Sequence, residues 1–263
     1  MPRLGVVGWP VAHSRSPAMH AAAFAALGMT DWVYQLLPVP PELFDETVRA
    51  LPGAGFVGAN VTVPHKLAAL ALADEASEPA RAIGAANTLL FDDGGAIRAE
   101  NTDAPGLLAS LPIDPTGRSA LVLGAGGSAR AAVWALVQAG AQVAIWNRTH
   151  ARAEALARDF GVRAVTNAEP ADFLINCTSA GLNDPGRMFK SLPVNADELG
   201  EYACVVDLVY RDDETPLLRA AARRGAAVVS GLEVLVAQGA ISFELWTGLA
   251  APLAAMREAA AAR

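Results

Sequence analysis

The sequence predicts an α/β protein of two domains. Apolar, β-rich runs alternate with helix-like segments along almost the whole chain, the pattern of mostly parallel strands with helical crossovers. The length of 263 residues suits one large domain or two ordinary ones. A turn-rich stretch near the middle, Asp114-Pro115-Thr116-Gly117, favours two, with the boundary between about residues 102 and 117.

The first run reads as strand Arg3–Gly8, helix Pro17–Leu27 with proline at its first position, strand Trp32–Leu37 and helix Pro41–Leu51. Strand Gly55–Val63 and helix Lys66–Leu72 follow. Short strands at Asn87–Phe91 and Ala96–Glu100 are joined by Asp92-Asp93-Gly94-Gly95, a good hairpin turn. A helix from Ala104 to Leu111 stops at Pro112. The second run comprises strand Ser119–Leu123, helix Gly127–Ala139, strand Gln142–Asn147 and helix Ala151–Phe160. Strands near Val162–Val165, Phe173–Asn176 and Cys204–Leu208 precede helix Pro216–Arg224 and strand Ala227–Ser230, and the chain is expected to stay helical from Leu232 to its end.

Composition excludes several classes. At 53% apolar and 18% charged, the chain has the material for a sizeable core. A net charge of −7 argues against a broad nucleic-acid footprint. No apolar run is long enough to span a bilayer, because Gln138, Glu233, Gln238 and Glu244 interrupt the greasiest stretches. The opening MPRLGVVGWP is too early in Pro and Gly for a secretory signal. Two cysteines, Cys177 and Cys204, make neither a disulfide framework nor metal-ligand spacing, so no metal is expected and the setting is a reducing cytoplasm. Of the 20 basic residues only two are lysines, Lys66 and Lys190.

Asn-x-Thr occurs as Asn60-Val61-Thr62, Asn147-Arg148-Thr149 and Asn176-Cys177-Thr178, each time closing an apolar run read as a strand. Ligands of open α/β sheets bind outside the carboxyl ends of strands, so these ends point to a crevice lined by amides and hydroxyls. The bland reading is that Asn and Thr simply begin turns.

Ser119–Leu123 runs into Gly124-Ala125-Gly126-Gly127-Ser128-Ala129, a match to G-x-G-x-x-G/A with its strand before it and its helix after it. Gly124 permits the tight turn, Gly126 lets the backbone approach a pyrophosphate, and the helix N-terminus offers unpaired N–H groups. The second strand ends in Asn147-Arg148-Thr149, with Arg152 one turn on, where an NAD site expects a carboxylate. Guanidinium groups there favour a 2′-phosphate and hence NADP(H), unless Arg148 and Arg152 are only a solvated helix start.

Ser14 and Ser16, in His13-Ser14-Arg15-Ser16-Pro17, are two hydroxyls that can clasp a carboxylate, although Ser16 before Pro17 is also a good N-cap. Lys66 ends Asn60-Val61-Thr62-Val63-Pro64-His65-Lys66 and faces the crevice, where an ammonium can exchange a proton that arginine holds too tightly. Lys190 lies in a polar loop and is assigned no role. Asp103 in Asn101-Thr102-Asp103 is either a helix cap or the partner that orients Lys66.

These residues carry a resemblance. GWPVAHSRSPAMH, NVTVPHK, GAANT, NTDAPG, GAGGSARA, NRT, DLVYRDDETPLL and GLEVLVAQG resemble, in order and over nearly the whole length, the motifs of the shikimate dehydrogenases. The resemblance implies a Rossmann-type NADP-binding domain, residues 102–237, and a discontinuous, mixed-sheet substrate-binding domain, residues 1–101 completed by 238–263. It implies reversible reduction of 3-dehydroshikimate to shikimate by NADPH, with Lys66 and Asp103 as the catalytic pair. Ser14 and Ser16 would bind the carboxylate, and Asn60, Thr62, Asn87, Tyr210 and Gln238 would line the ring and its hydroxyls. Gly124, Ala125, Gly126, Gly127 and Ser128 would carry the pyrophosphate, Asn147, Arg148, Thr149 and Arg152 the 2′-phosphate, with Leu208 and Gly231 along the nicotinamide. The expected partners are small molecules only, for a monomer or homodimer. The rivals are an NAD-preferring quinate/shikimate dehydrogenase and a non-catalytic nucleotide-binding regulator.

Overall fold

A computed structural model of the chain describes residues 1–262. It forms two compact units, Met1–Gly106 together with the segment from Leu235 on, and Leu107–Val234. These divisions fall a few residues from 101/102 and 237/238, because both crossings lie inside helices, Asp103–Ser110 and Gly231–Thr247, and not in loops.

The elements in chain order are β1 (Arg3–Gly8), α1 (Ser16–Ala26), β2 (Val33–Pro38), α2 (Phe44–Ala50), β3 (Gly58–Val61), α3 (Lys66–Leu72), β4 (Glu75–Ala76), α4 (Glu78–Ile83), β5 (Thr88–Phe91), β6 (Ile97–Glu100) and α5 (Asp103–Ser110). Next come β7 (Ser119–Leu123), α6 (Gly127–Gln138), β8 (Gln142–Trp146), α7 (His150–Phe160), β9 (Arg163–Val165), β10 (Phe173–Asn176) and α8 (Met188–Ser191). The chain then forms β11 (Cys204–Asp207), α9 (Pro216–Arg223), β12 (Ala227–Ser230), α10 (Gly231–Thr247) and α11 (Leu253–Ala261). No helix among the described residues is long and apolar enough to cross a membrane.

Sequence reading leaves 73–86 unassigned, yet β4 and α4 lie there. Their signals are short but physical: Ser77 accepts the Ala80 N–H at 3.3 Å as an N-cap, and Gly84 closes α4 with a φ of 73°. The C-terminal region is not one helix. It breaks at Gly248, which takes a φ of 69°, and restarts after Pro252 as α11.

The sheet of the first unit has the order β2-β1-β3-β5-β6-β4. β1 runs parallel to β2 and β3, whereas β5 is antiparallel to both β3 and β6, so the sheet is mixed. This places the carboxyl ends of β1, β3 and β6 and the start of β5 at one end of the sheet. One face buries Val7, Val61 and Leu89 against Phe44, Val48 and Leu72 of α2 and α3. Near the other, α10 closes on Gly58, where a Cβ would lie 2.2 Å from Trp246 Nε1; the indole donates to the Leu89 carbonyl at 2.9 Å. Beside it His20 stacks on Tyr34 with centroids 4.4 Å apart, and burial lowers its pKa to about 3, so the ring packs as a neutral aromatic.

The sheet of the second unit is wholly parallel, in the order β12-β11-β10-β7-β8-β9. Read from β9, this is the doubly wound order, with its switch point between β7 and β10. β7 is buried on both faces, as parallel strands are. Ala120 and Val122 pack with Leu136 of α6 and Leu156 of α7, while Leu121 and Leu123 pack with Met188 and Leu217.

Candidate active site

In the first unit, Lys66 opens α3 just past β3, and Asp103 opens α5 just past β6. Their side chains meet with Lys66 Nζ 2.5 Å from Asp103 Oδ2, at 10% and 18% exposure. A buried ion pair holds only when its remaining valences are satisfied. Here Asn87, at the start of β5, donates its Nδ2 to Asp103 Oδ1 at 2.9 Å, to Thr102 Oγ1 at 2.9 Å and to Gln238 Oε1 at 3.0 Å. Its Oδ1 accepts the Thr102 N–H at 2.7 Å, which fixes the direction of the amide. Gln238 reaches this cluster from α10 because Gly106 of α5 lacks a Cβ, which would lie 2.7 Å from the Gln238 backbone nitrogen. Asp103 is not the cap of α5. Asn101 takes that role by accepting the Ala104 N–H at 3.2 Å, leaving the Asp103 carboxylate to Lys66.

The cap expected at Ser16 is also displaced. Ser16 lies inside α1 with no capping bond from its side chain, and it is Ser14 Oγ that accepts the Ser16 N–H at 3.3 Å. Ser16 is buried and Ser14 half-buried, on the loop after β1. The half-buried Thr62 belongs to the neighbouring loop after β3; Trp9 N–H bonds the Val63 carbonyl at 2.9 Å, tying the two loops together. Asn60 is turned inward: its side chain accepts from Tyr34 at 2.7 Å and donates to Thr88 and Ser242 at 3.1 and 3.0 Å. Asn176, at the end of β10, is likewise fully buried, whereas Asn147 lines an open pocket together with Thr178 of the third motif. At Asn60 and Asn176 the amide faces the core, as a strand-end amide can do as readily as face solvent, and in the third motif it is the Thr178 hydroxyl that reaches the cavity. Thr88, Thr102 and Ser242 escaped sequence reading; the only available signal was Ser242, one helical turn beyond Gln238.

In the second unit, Gly124 has a φ of 117°, and its added Cβ would sit 3.2 Å from the Cys177 carbonyl, so glycine serves both the turn and the close approach of β10. Gly126 precedes α6, and the space its Cβ would enter is open. A cavity of about 540 Å³ lies there, lined by the Gly124–Gly126 turn and by Asn147 and Arg148. Thr178, Arg187 and Lys190 line it too. Backbone donors at an open helix start and a cationic strand end fit the phosphates of a dinucleotide. Gly127 and Ser128 form the first turn of α6, and Thr149 is the N-cap of α7 with Asn147 Nδ2 bonded to its carbonyl at 2.9 Å. Arg152, exposed on α7, is not among the lining residues. Leu208 and Gly231 adjoin, a Gly231 Cβ falling 2.5 Å from the Leu208 carbonyl oxygen, and Tyr210 follows on the same loop of this unit.

That loop is braced by Asp207, fully buried at the end of β11. It accepts from Asn176 at 2.8 Å, Thr215 at 2.7 Å and the Val209 N–H at 3.1 Å. Burial outweighs these bonds and raises its carboxyl from 3.8 to about 6. A folded pKa above the unfolded one contributes stability in acid that is lost as pH rises from about 4 through about 6. Asp207→Asn keeps the shape without the charge. Between pH 4 and pH 7.5 the wild type is therefore expected to lose roughly 2–3 kcal/mol relative to the variant in chemical denaturation. Parallel pH profiles for the two proteins would sink this account.

A buried lysine–aspartate pair in one unit and a glycine turn that opens a helix in the other fit the class of nucleotide-dependent oxidoreductases. Comparison with known proteins narrows the class. Family profiles described as shikimate dehydrogenase substrate binding domain, shikimate / quinate 5-dehydrogenase and shikimate 5'-dehydrogenase C-terminal domain match residues 6–89, 109–182 and 231–261. The chain is 47% identical to a shikimate dehydrogenase (NADP(+)) of Thermus thermophilus, over 99% of this chain and 98% of that one. A crystal structure of shikimate 5-dehydrogenase from Thermus thermophilus in complex with NADP(H) and shikimate aligns with a TM-score of 0.90 at 45% identity, covering 99% and 98% of the two chains. The ligand-free 5-ketofructose reductase of Gluconobacter sp. strain CHM43 aligns with a TM-score of 0.84 at 32% identity, covering 98% and 97%. The chain belongs to the shikimate dehydrogenase family.

Proposed function

We propose that this protein catalyses the reversible NADPH-dependent reduction of 3-dehydroshikimate to shikimate, as a cytoplasmic monomer or homodimer. The observation that carries the reading is the Lys66–Asp103 pair, held by Asn87 beside Gln238 at the end of the mixed sheet. Bound NADPH supplies the hydride for the carbonyl carbon. Lys66 Nζ gives a proton to the carbonyl oxygen, turning it into the alcohol, and regains one from solvent. In the oxidative direction the same nitrogen takes the alcohol proton. Asp103 keeps the ammonium aimed and Asn87 keeps Asp103 in place, so the chain's contribution is positioning and proton transfer.

Ser14 and Ser16 take the substrate carboxylate with neutral donors, and Thr62, Asn87, Gln238 and Tyr210 take its hydroxyls and ring. Asn60 supports this wall from within. The first unit with its returning segment is the substrate domain and the second the nucleotide domain. Initial rates of NADPH formation from shikimate and NADP⁺, set beside quinate with NAD⁺, test the reading. A higher kcat/KM for quinate with NAD⁺ would replace it with the degradative rival, against which Arg148 argues. NADPH binding with no turnover of either acid would leave a regulator. Turnover of 5-ketofructose in preference to both would show that the carboxylate clasp has been misread.

A further inference from the structure

Lys190, one of only two lysines in the chain, stands on the nucleotide cavity. We infer that Lys190 and Arg187 add to the cationic lining of that cavity and bind the 2′-phosphate of NADP(H) together with Arg148. The inference rests on the assignment of NADP(H) above and adds residues to it.

The geometry begins with how α8 is held. Met188 is fully buried among Leu121, Leu123 and Ala144, with Trp146 and Phe189 at the edge of the same cluster. This anchors α8 in the core cluster that β7, β8 and α9 also enter. The segment before it is fixed as well. Gly181 takes a φ of 85° directly against Met188, and the Arg211 guanidinium donates to the Gly181 carbonyl at 3.1 Å and to that of Leu182. With Met188 pointing into the core, Arg187 and Lys190, three residues apart on one helical face, are exposed and line the cavity.

The charges of this lining are available. Arg130, Arg163 and Arg224 each pair with a carboxylate, Asp159, Glu169 and Asp197 respectively. No such pair is made by Arg187, Lys190 or Arg148 among the described residues. One carboxylate, Asp184, also lines the cavity, so the cations Arg148, Arg187 and Lys190 outnumber it in a chain whose net charge is −7. A phosphomonoester carries about −1.5 to −2 charges at pH 7 and three acceptor oxygens. Arg148 alone cannot match that charge. The pyrophosphate has its own donors at the Gly124–Gly126 turn and the start of α6, so the cations of the cavity are left to the 2′ group.

The test is equilibrium binding by calorimetry with the full chain, using NADP⁺, NAD⁺, 2′,5′-ADP and 5′-AMP against the wild type, Lys190→Gln, Arg187→Gln and the pair. Loss of one charge-assisted contact is expected to weaken NADP⁺ and 2′,5′-ADP about tenfold. Binding of NAD⁺ and 5′-AMP should stay within about twofold, and the salt dependence of NADP⁺ binding should become shallower. Lys190→Arg, which keeps the charge, should restore most of the affinity. Unchanged NADP⁺ binding in the double variant would show these to be solvated surface charges. An equal loss for NAD⁺ would move the contact to the pyrophosphate and overturn the assignment to the 2′ group. A wild type that binds NAD⁺ as well as NADP⁺ would instead remove the cofactor reading on which the inference rests.

Discussion

Replacing Lys66 with alanine is expected to lower kcat by about 10²–10⁴-fold, the usual worth of positioned proton transfer, while KM moves little. Lys66 Nζ sits 2.5 Å from Asp103 in a cluster closed by Asn87 and Gln238, so alanine leaves that carboxylate without its lysine. Substrate affinity should survive because the proposed carboxylate clasp lies elsewhere, Ser14 on the loop after β1 and Ser16 at the start of α1. Lys66→Arg keeps a positive charge beside Asp103 yet holds its proton too tightly to exchange it, so it should fail nearly as badly as alanine. A measurable melting transition in each variant separates lost chemistry from lost folding, since removing one member of a buried pair is itself destabilising. Turnover within about tenfold of the wild type in Lys66→Ala would falsify the proton-transfer role, that being less than the smallest effect such a step usually has.

Arg148→Asp is expected to abolish the preference for NADP(H). Arg148 is exposed at the end of β8, the position from which an acidic side chain would hold the free ribose 2′-hydroxyl of NAD. The substitution removes a charge-assisted contact and places a like charge against a 2′-phosphate, so kcat/KM with NADPH should fall by about 10²-fold or more. The value with NADH should hold or rise. Because the side chain is exposed, the wild-type preference should also narrow as ionic strength increases. An unchanged ratio of the two cofactors in the variant would mean that Arg148 is only a solvated helix start.

What could be read from the sequence was whatever depends on neighbours along the chain. The run from Ser119 through the glycine turn to α6 is one such unit: a strand with two apolar faces, a turn that demands Gly124, and a helix that begins at Gly127. Lys66 could be singled out because arginine fills almost every other basic position. Side-chain direction at strand ends was not readable, since it depends on which helix later covers the strand. Asn60 and Asn176 turn inward to meet Ser242 and Asp207, which come from far along the chain. The division of labour in capping was hidden for a similar reason. Ser16 and Asp103 have the better local credentials, yet the bonds to backbone N–H groups at the two helix starts are accepted by Ser14 and Asn101. Lys190 looked idle because its context is Met188, a residue whose burial only the folded sheet reveals.

The amide of Asn87 has a consequence for Asp103. Turned over, its oxygen would face the oxygens of Asp103 and Gln238, and its nitrogen would face the Thr102 N–H, so the reversed orientation is closed to it. The amide therefore has a fixed polarity, while the hydroxyls of Thr88, Thr102 and Ser242 around it can each turn to donate or accept. Asp103 is thereby held with one oxygen toward Asn87 and the other toward Lys66. A single amide, fixed in one orientation, thus anchors the carboxylate that faces the lysine.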